Sequence, residues 1–448
     1  MFAWICWLGL MTSTVALNAQ YSGSNAKTYS LKNCIEIALE NNPDIKLVRQ
    51  QLDVSKAGKK QATGSYLPSA NFSMGYSRDL NPEEARTANI NGQIIGVSGS
   101  EPNSYNMSVG LGYTIFDGFA RAASYDQAEI GMESSKLNIK ANEDYINYNV
   151  RRLFVEVIKL QESLKLQDEN HKLGLAEFEA IKAKFDAGTV HEGVVASQEA
   201  DLANREFNIV TAENNLNIAK ANLLEFMGLS PAEEADFINS DLPNNFTADE
   251  IRNFQSKYAE LEKAVSQALE NRADVQADKL AIKSGESALR SAKSGYYPSV
   301  SASLGWSWSN TEFNDFGDLG RSYLGLNLSI PLFDQFRTNY SIESAKYQIM
   351  QSEAELFKME QSVRTAIRSA FLNLASARKQ LEISERALAA SQKNFDITKE
   401  RFNIGSSNIT DYLTANNSLV TSQLNRVSAI YTYYIAEREL EYQVADLK

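Results

Sequence analysis

The chain repeats itself, and the repeat restricts its architecture more than any other feature. Ala38-Leu39-Glu40-Asn41 returns as Ala268-Leu269-Glu270-Asn271, 230 residues later. At the same offset Asp44 meets Asp274, Pro68-Ser69 meets Pro298-Ser299, and Gly75 meets Gly305. Further on the offset falls to 217: Phe116-Asp117 meets Phe333-Asp334, Phe178 meets Phe395, Phe185 meets Phe402, and Gly188 meets Gly405. The 13-residue difference falls within Arg78–Asn103, a longer loop in the first copy. So many matches in order mean that both halves fold alike. Residues 20–229 form copy one, 230–257 a linker, and 258–448 copy two.

Each copy holds two segments with period-two alternation, predicted as strands over about 69–77, 104–116, 299–309 and 322–333. Phe72 and Met74 alternate with Asn71, Ser73 and Gly75; Val109 and Leu111 alternate with Ser108, Gly110 and Gly112. Leu304 and Trp306 alternate with serines and Gly305, and Leu326 and Leu328 with Gly325, Asn327 and Ser329. These segments match the ~9–11 residues of a tilted strand that crosses an outer membrane. Large apolar residues on one face and small polar ones on the other suit lipid outside and water inside. The expected lipid-facing set is Phe72, Met74, Val109, Leu111, Leu304, Trp306, Leu326 and Leu328. A soluble sandwich also has an apolar inner face, but its solvent face carries Lys, Glu or Arg, and these faces carry almost none.

Most of the remainder reads as helix, in hairpins over about 119–228 and 336–446. A heptad seam with 4-3 spacing runs Ile146, Val150, Leu153, Val157, Leu160, Leu164, Gln167, His171, Gly174, Phe178, Ile181, Phe185. Copy two keeps the register from Val363 and Ile367 through Leu374 and Leu381 to Phe395 and Phe402. Helices of this length reach ~100 Å at ~1.5 Å per residue. They turn at Gly188 and Gly405, where glycine can take the left-handed conformation that ends a helix. Gln167 and His171 read as polar residues that set register or face a pore.

Composition excludes other classes. With 44 basic and 56 acidic residues the net charge is −12, so no nucleic-acid partner is expected. Two cysteines and two histidines leave little material for thiol or zinc chemistry, and neither a metal nor a cofactor is expected. No nucleophile-elbow, Walker or zinc-helix motif stands in a supporting context, so no enzyme is expected. Met1–Ala19 carries no charge and holds the apolar run Phe2–Met11, which reads as a secretory signal over residues 1–19 or, alternatively, a short membrane anchor. Cys6 would leave with a signal, and Cys34 alone could form no intrachain disulfide.

At this point the layout resembles the TolC-like outer-membrane channel family across nearly the whole mature chain. The matching pieces are Ala38–Pro43, Tyr66-Leu67-Pro68-Ser69 with its copy Tyr296-Tyr297-Pro298-Ser299, and Pro331-Leu332-Phe333-Asp334. The tips Phe185-Asp186-Ala187-Gly188 and Phe402-Asn403-Ile404-Gly405 match too, as does Leu223–Leu229. The resemblance implies a mixed membrane protein: a trimeric twelve-stranded β-barrel, four strands per chain, continuous with an antiparallel α-helical coiled-coil tunnel. It implies a homotrimer in outer-membrane lipid, helices in the periplasm, and an equatorial collar to which the 230–257 linker contributes. It further implies a periplasmic adaptor (membrane fusion protein) and an inner-membrane pump, either of the resistance-nodulation-division type or ATP-driven. Such a chain is the exit duct of a tripartite efflux or type I secretion system.

The resemblance also places sites. Phe185, Gly188, Phe402 and Gly405 would be the hairpin tips that dock the adaptor. Asp411 matches an acidic position of the pore constriction, and Asp186 and Glu192 are further acidic candidates near the tips. Thr414, Val194 and Ser407 depart from charged residues of the family's latch. The rival reading is an exported coiled-coil surface scaffold or adhesin, which would explain the heptads and export but not the four lipid-type strands.

Overall fold

The computed structural model describes residues 27–239, 242–243 and 245–447; the expected signal and Cys6 lie outside them. Copy one runs β1 (Lys27–Tyr29), α1 (Leu31–Asn41), α2 (Pro43–Gly64), β2 (Ser69–Arg78), β3 (Arg86–Ile90), β4 (Gln93–Val97), β5 (Asn103–Phe116), α3 (Ala120–Asp186) and α4 (Glu192–Phe226). The linker holds β6 (Ala235–Phe237) and α5 (Ala248–Lys257). Copy two runs α6 (Leu261–Asn271), α7 (Ala273–Lys293), β7 (Ser299–Asn310), α8 (Phe316–Leu319), β8 (Arg321–Ser329), α9 (Arg337–Asn403) and α10 (Ile409–Gln443). The duplication survives to the residue: α3 and α9 have 67 residues each, α4 and α10 have 35 each.

Local chemistry fixes the joints. The repeated Phe-Asp pair turns each strand into its long helix. Asp117 Oδ2 accepts from the Arg121 amide at 3.1 Å and from Arg121 Nε at 3.0 Å. Asp334 Oδ2 accepts from the Thr338 amide at 2.8 Å. Both carboxylates thus satisfy amides that an α-helix leaves unpaired in its first turn. Asn42 caps α2 through the Asp44 amide at 2.8 Å, and Pro43 fills the first helical position, where a missing N–H costs nothing.

The membrane-type strands form one antiparallel sheet in the order β2-β5-β7-β8. The 13-residue surplus of copy one accommodates the β3–β4 ribbon, whose Asn91-Gly92 turn has both residues at positive φ, as a two-residue hairpin loop requires. β8 stops at Ser329, short of the predicted 333. Pro331 has no amide to donate and ends the ladder.

Copy two buries its predicted seam: Val363, Ile367, Ala370, Leu374, Ala377 and Leu381. In copy one the seam is incomplete as a description. Phe154, Val155 and Ile158 are buried beside Val150 and Val157, because α3 packs against α1, α2, α7 and α10 as well as α4. One heptad stripe serves one partner, and α3 has several. β1 and β6 pair in parallel and cover this core, tying the linker to the chain's start. Cys34 is fully buried there, and burial pushes its thiol up to about 12.

Candidate functional site

The sheet's register settles which residues share a face. Phe72, Val109 and Trp306 stand in one row, Leu111 and Leu304 in the next, and Met74, Met107 and Trp308 in a third. Leu326 and Leu328 join this face through Ala302 and Val300. All eight predicted lipid-facing residues therefore lie on one side. Leu326 is 75% exposed and Leu324 78%, with nothing among the described residues to cover them. The opposite face carries Ser, Asn, Gly and Thr, with Tyr323 laid across Gly305. β2 and β8 each leave one edge unpaired.

Aromatic clusters mark both ends of the sheet, a feature the sequence reading passed over. Trp308 lies under Phe316 and Phe313, with Tyr105 against Phe313 and Tyr76 against Tyr105. At the helical end Phe116, Phe119 and Tyr297 meet edge to face, and Phe333 meets Phe336 likewise. Two aromatic girdles around an apolar band are what a lipid bilayer's two interfaces select. The signal lay in the aromatics that flank each alternating segment.

At the far end of the hairpins Gly188 (φ 71°) and Gly405 (φ 77°) close matching turns. The Thr189 amide donates to Lys184 O at 2.9 Å, and the Ser406 amide to Arg401 O at 2.8 Å, capping the last carbonyls. A Cβ on either glycine would meet nothing within 4 Å, so their demand is conformational. Phe185 is exposed; Phe402 instead stacks on Tyr412, ring centres 5.2 Å apart, with the Lys184 ammonium 6.0 Å from its own ring centre. Asp186 ends α3 and Glu192 begins α4, both in solvent. Asp411 is exposed in the first turn of α10; its amide is capped by Asn408 at 2.8 Å, and its carboxylate accepts from Ser407 Oγ at 3.0 Å.

A buried polar cluster between the two hairpins was not foreseen. Arg205 on α4 is 2% exposed. Its Nε donates to Asp201 at 2.6 Å, its Nη1 to the Asn170 carbonyl at 2.6 Å, and its Nη2 lies 3.6 Å from Glu177. From the second hairpin, Tyr412 donates to Glu177 and Asn416 donates to Asn170 at 3.3 Å. Burial first, and the Glu177 carboxylate next, hold the Tyr412 hydroxyl well above its ordinary pKa, so it stays a donor. Position 174 must be glycine, since a Cβ would stand 2.7 Å from Arg205 Nη1. The copy-two counterparts of Gly174 and Arg205 are Ser391 and Ser422, whose hydroxyls bond each other at 2.8 Å. The clue was Gln198, Asp201 and Arg205 at 3-4 spacing on α4. His171, flagged as a seam break, lies 3.5 Å from Glu206, one turn from this cluster.

A sheet with a lipid-type face, girdled at both ends and continuous with helices ~100 Å long, defines one protomer of an outer-membrane barrel with a periplasmic helical tunnel. The chain belongs to the outer membrane efflux protein family, whose model matches residues 34–229 and 264–443, one block per copy. It is 23% identical to outer membrane efflux protein BepC of Brucella suis, over 94% of this chain and 86% of that one. It is 20% identical to outer membrane protein TolC of Escherichia coli, over 96% of this chain and 85% of that one. The fold superposes on the Campylobacter jejuni CmeC outer membrane channel with a TM-score of 0.74 at 18% identity, covering 93% of this chain and 85% of that one. The protein is an outer-membrane duct, with its helices in the periplasm.

Proposed function

We propose that three copies close the barrel and that the assembly passes cargo from an inner-membrane pump, through a periplasmic adaptor, to the outside. The observation that carries this is the four-stranded sheet with two open edges and a lipid-type face. An open edge in hydrocarbon leaves backbone groups unsatisfied at several kcal/mol each. Eight strands make a barrel that side chains fill, whereas twelve leave room for water. Two relatives are named for toxin and drug export and for protease secretion, which supports an export role for this chain. Purified protein should run as a heat-modifiable oligomer on denaturing gels and form channels in planar bilayers. A heat-insensitive monomer without conductance would instead favour the surface scaffold.

The tips are the adaptor-docking elements in this reading. Replacing Gly188 or Gly405 by Val forces a β-branched residue to positive φ, at a local cost of ~1–3 kcal/mol. The surrounding space is open, so trimers should persist in the outer membrane while pump-dependent export is lost. Loss of the trimer itself would move these glycines into the assembly core.

Asp411 is the constriction residue. It follows Gly405 by six residues, roughly 9 Å at ~1.5 Å per residue, and three carboxylates would converge on the axis and attract cations. Asp411→Ala should weaken block by a trivalent cation from the periplasmic side at least tenfold, about 1.4 kcal/mol. Unchanged block in bilayer recordings would shift the role to Asp186 or Glu192.

A further inference from the structure

The register aligns Ser73, Ser108, Ser307 and Arg321 in one row across all four strands of the polar face. Along β2, β5, β7 and β8 that face otherwise carries only Ser, Asn, Gly, Thr and Tyr323, so Arg321 is its one charged group. The guanidinium is exposed and, among the described residues, held by no ion pair. It borders a recess of about 490 Å³ that Ser73, Ser108 and Ser307 also line, and the Ser73 and Ser108 hydroxyls are 2.7 Å apart. Arg321 opens β8 at the end away from the helices, because Ser329 at the other end leads into α9. The carboxylates nearest in sequence, Asp318 and Asp315, lie beyond the strand on the β7–β8 connection.

We infer that Arg321 is an anion-selecting group at the outer mouth of the lumen, taking the carboxylates of permeants with the Ser307 and Ser108 hydroxyls beside it. The inference rests on the duct reading, which supplies the lumen. Its physical basis is contrast. In a chain of net charge −12, a wall of neutral hydroxyls and glycines carries one fixed cation per copy. A guanidinium presents a planar fork of donors that matches a carboxylate, and neighbouring hydroxyls can donate to its remaining lone pairs. Three copies would set three such groups at one level. Their field reaches ~10 Å into the lumen at 0.1 M salt but only ~3 Å at 1 M.

The test is block of single-channel current by citrate added from the extracellular side in 0.1 M KCl. Wild type should be blocked, and the block should fade in 1 M KCl. Arg321→Gln should weaken block at least tenfold while leaving heat-modifiable migration intact. Arg321→Lys, which keeps the charge but loses the fork, should fall between them. Equal block of wild type and Arg321→Gln, or no block of wild type, overturns the assignment. If wild type shows no conductance at all, the duct reading fails and takes this one with it.

Discussion

Arg205→Ala should cost about 3–5 kcal/mol, the penalty for removing one partner of a buried ion pair. The substitution leaves Asp201 and Glu177 as carboxylates in a site that excludes water, and opens a cavity above Gly174. It also deprives the Asn170 carbonyl of its donor at 2.6 Å. The duplication supplies the control. In copy two Ser391, Asn394, Ser418 and Ser422 align with Gly174, Glu177, Asp201 and Arg205; Ser391 and Ser422 meet through their hydroxyls, while Asn394 and Ser418 face solvent. Transplanting all four (Gly174→Ser, Glu177→Asn, Asp201→Ser, Arg205→Ser) removes every charge together and restores the small-residue contact. Replacing a whole buried ionic group is often neutral or stabilising, so the quadruple variant should regain most of the loss. Chemical denaturation of the detergent-solubilised protein, followed by helical circular dichroism, reads both. A loss below ~1 kcal/mol for Arg205→Ala would mean that water reaches the cluster.

This cluster also shows where the sequence stops speaking. Gly188 and Gly405 were legible because a helix end demands a backbone conformation that glycine alone adopts freely. The strand faces were legible because pleating enforces a period of two. Arg205 was not, because the cluster around it draws on three helices, α3, α4 and α10, and no periodicity on one helix reports a neighbour on another. Read along α3 alone, Gln167 and His171 were interruptions of a stripe and Gly174 a member of it; in space Gly174 is the floor under a guanidinium. The same limit hid Phe154, Val155 and Ile158, which serve the partners outside the coiled-coil seam. The repeated Phe-Asp pair stood out as a match between copies, yet its role as helix cap needed the hydrogen bonds of Asp117 and Asp334. Nor could spacing alone tell that Phe402 packs on Tyr412 while its counterpart Phe185 stays exposed.

Duplicate hairpins of equal length thus carry unequal chemistry. Copy one places charge at the α3–α4 seam, and copy two supplies Tyr412 and Asn416 to meet it. The ties run from α10 to α3, near the tips and far from the sheet that already joins the copies. Side chains at this level fix how the second hairpin leans on the first, where connectivity alone leaves it free. That placement makes the cluster the structural support of the Asp411 turn, five residues before Asn416 and next to Tyr412.

In the barrel the decisive pair is Leu111→Lys and Gly110→Lys, neighbours in sequence on opposite faces. Leu111 is six residues below Tyr105 and five above Phe116, aromatics that mark the two ends of the apolar band. It shares its row with Ala70 and Leu304, and Leu304 pairs with Leu324. A Lys there sits near the bilayer midplane, too deep for its ammonium to reach either headgroup layer without distorting the strand. The expected cost is ~2–4 kcal/mol per chain, and in the proposed trimer three chains would bear it together. Assembled, heat-modifiable trimer should therefore be nearly absent from outer-membrane fractions. Gly110 pairs with Gly305 and Asn71 on the polar face. A Cβ at Gly110 would lie 2.9 Å from Asn71 Oδ1, the far end of a side chain that can swing away. Gly110→Lys should assemble normally and add three cations to the lumen, shifting ion selectivity toward anions at low salt. If Leu111→Lys assembles and alters selectivity while Gly110→Lys does not assemble, the two faces are reversed. Arg321 would then point into lipid and lose its proposed role.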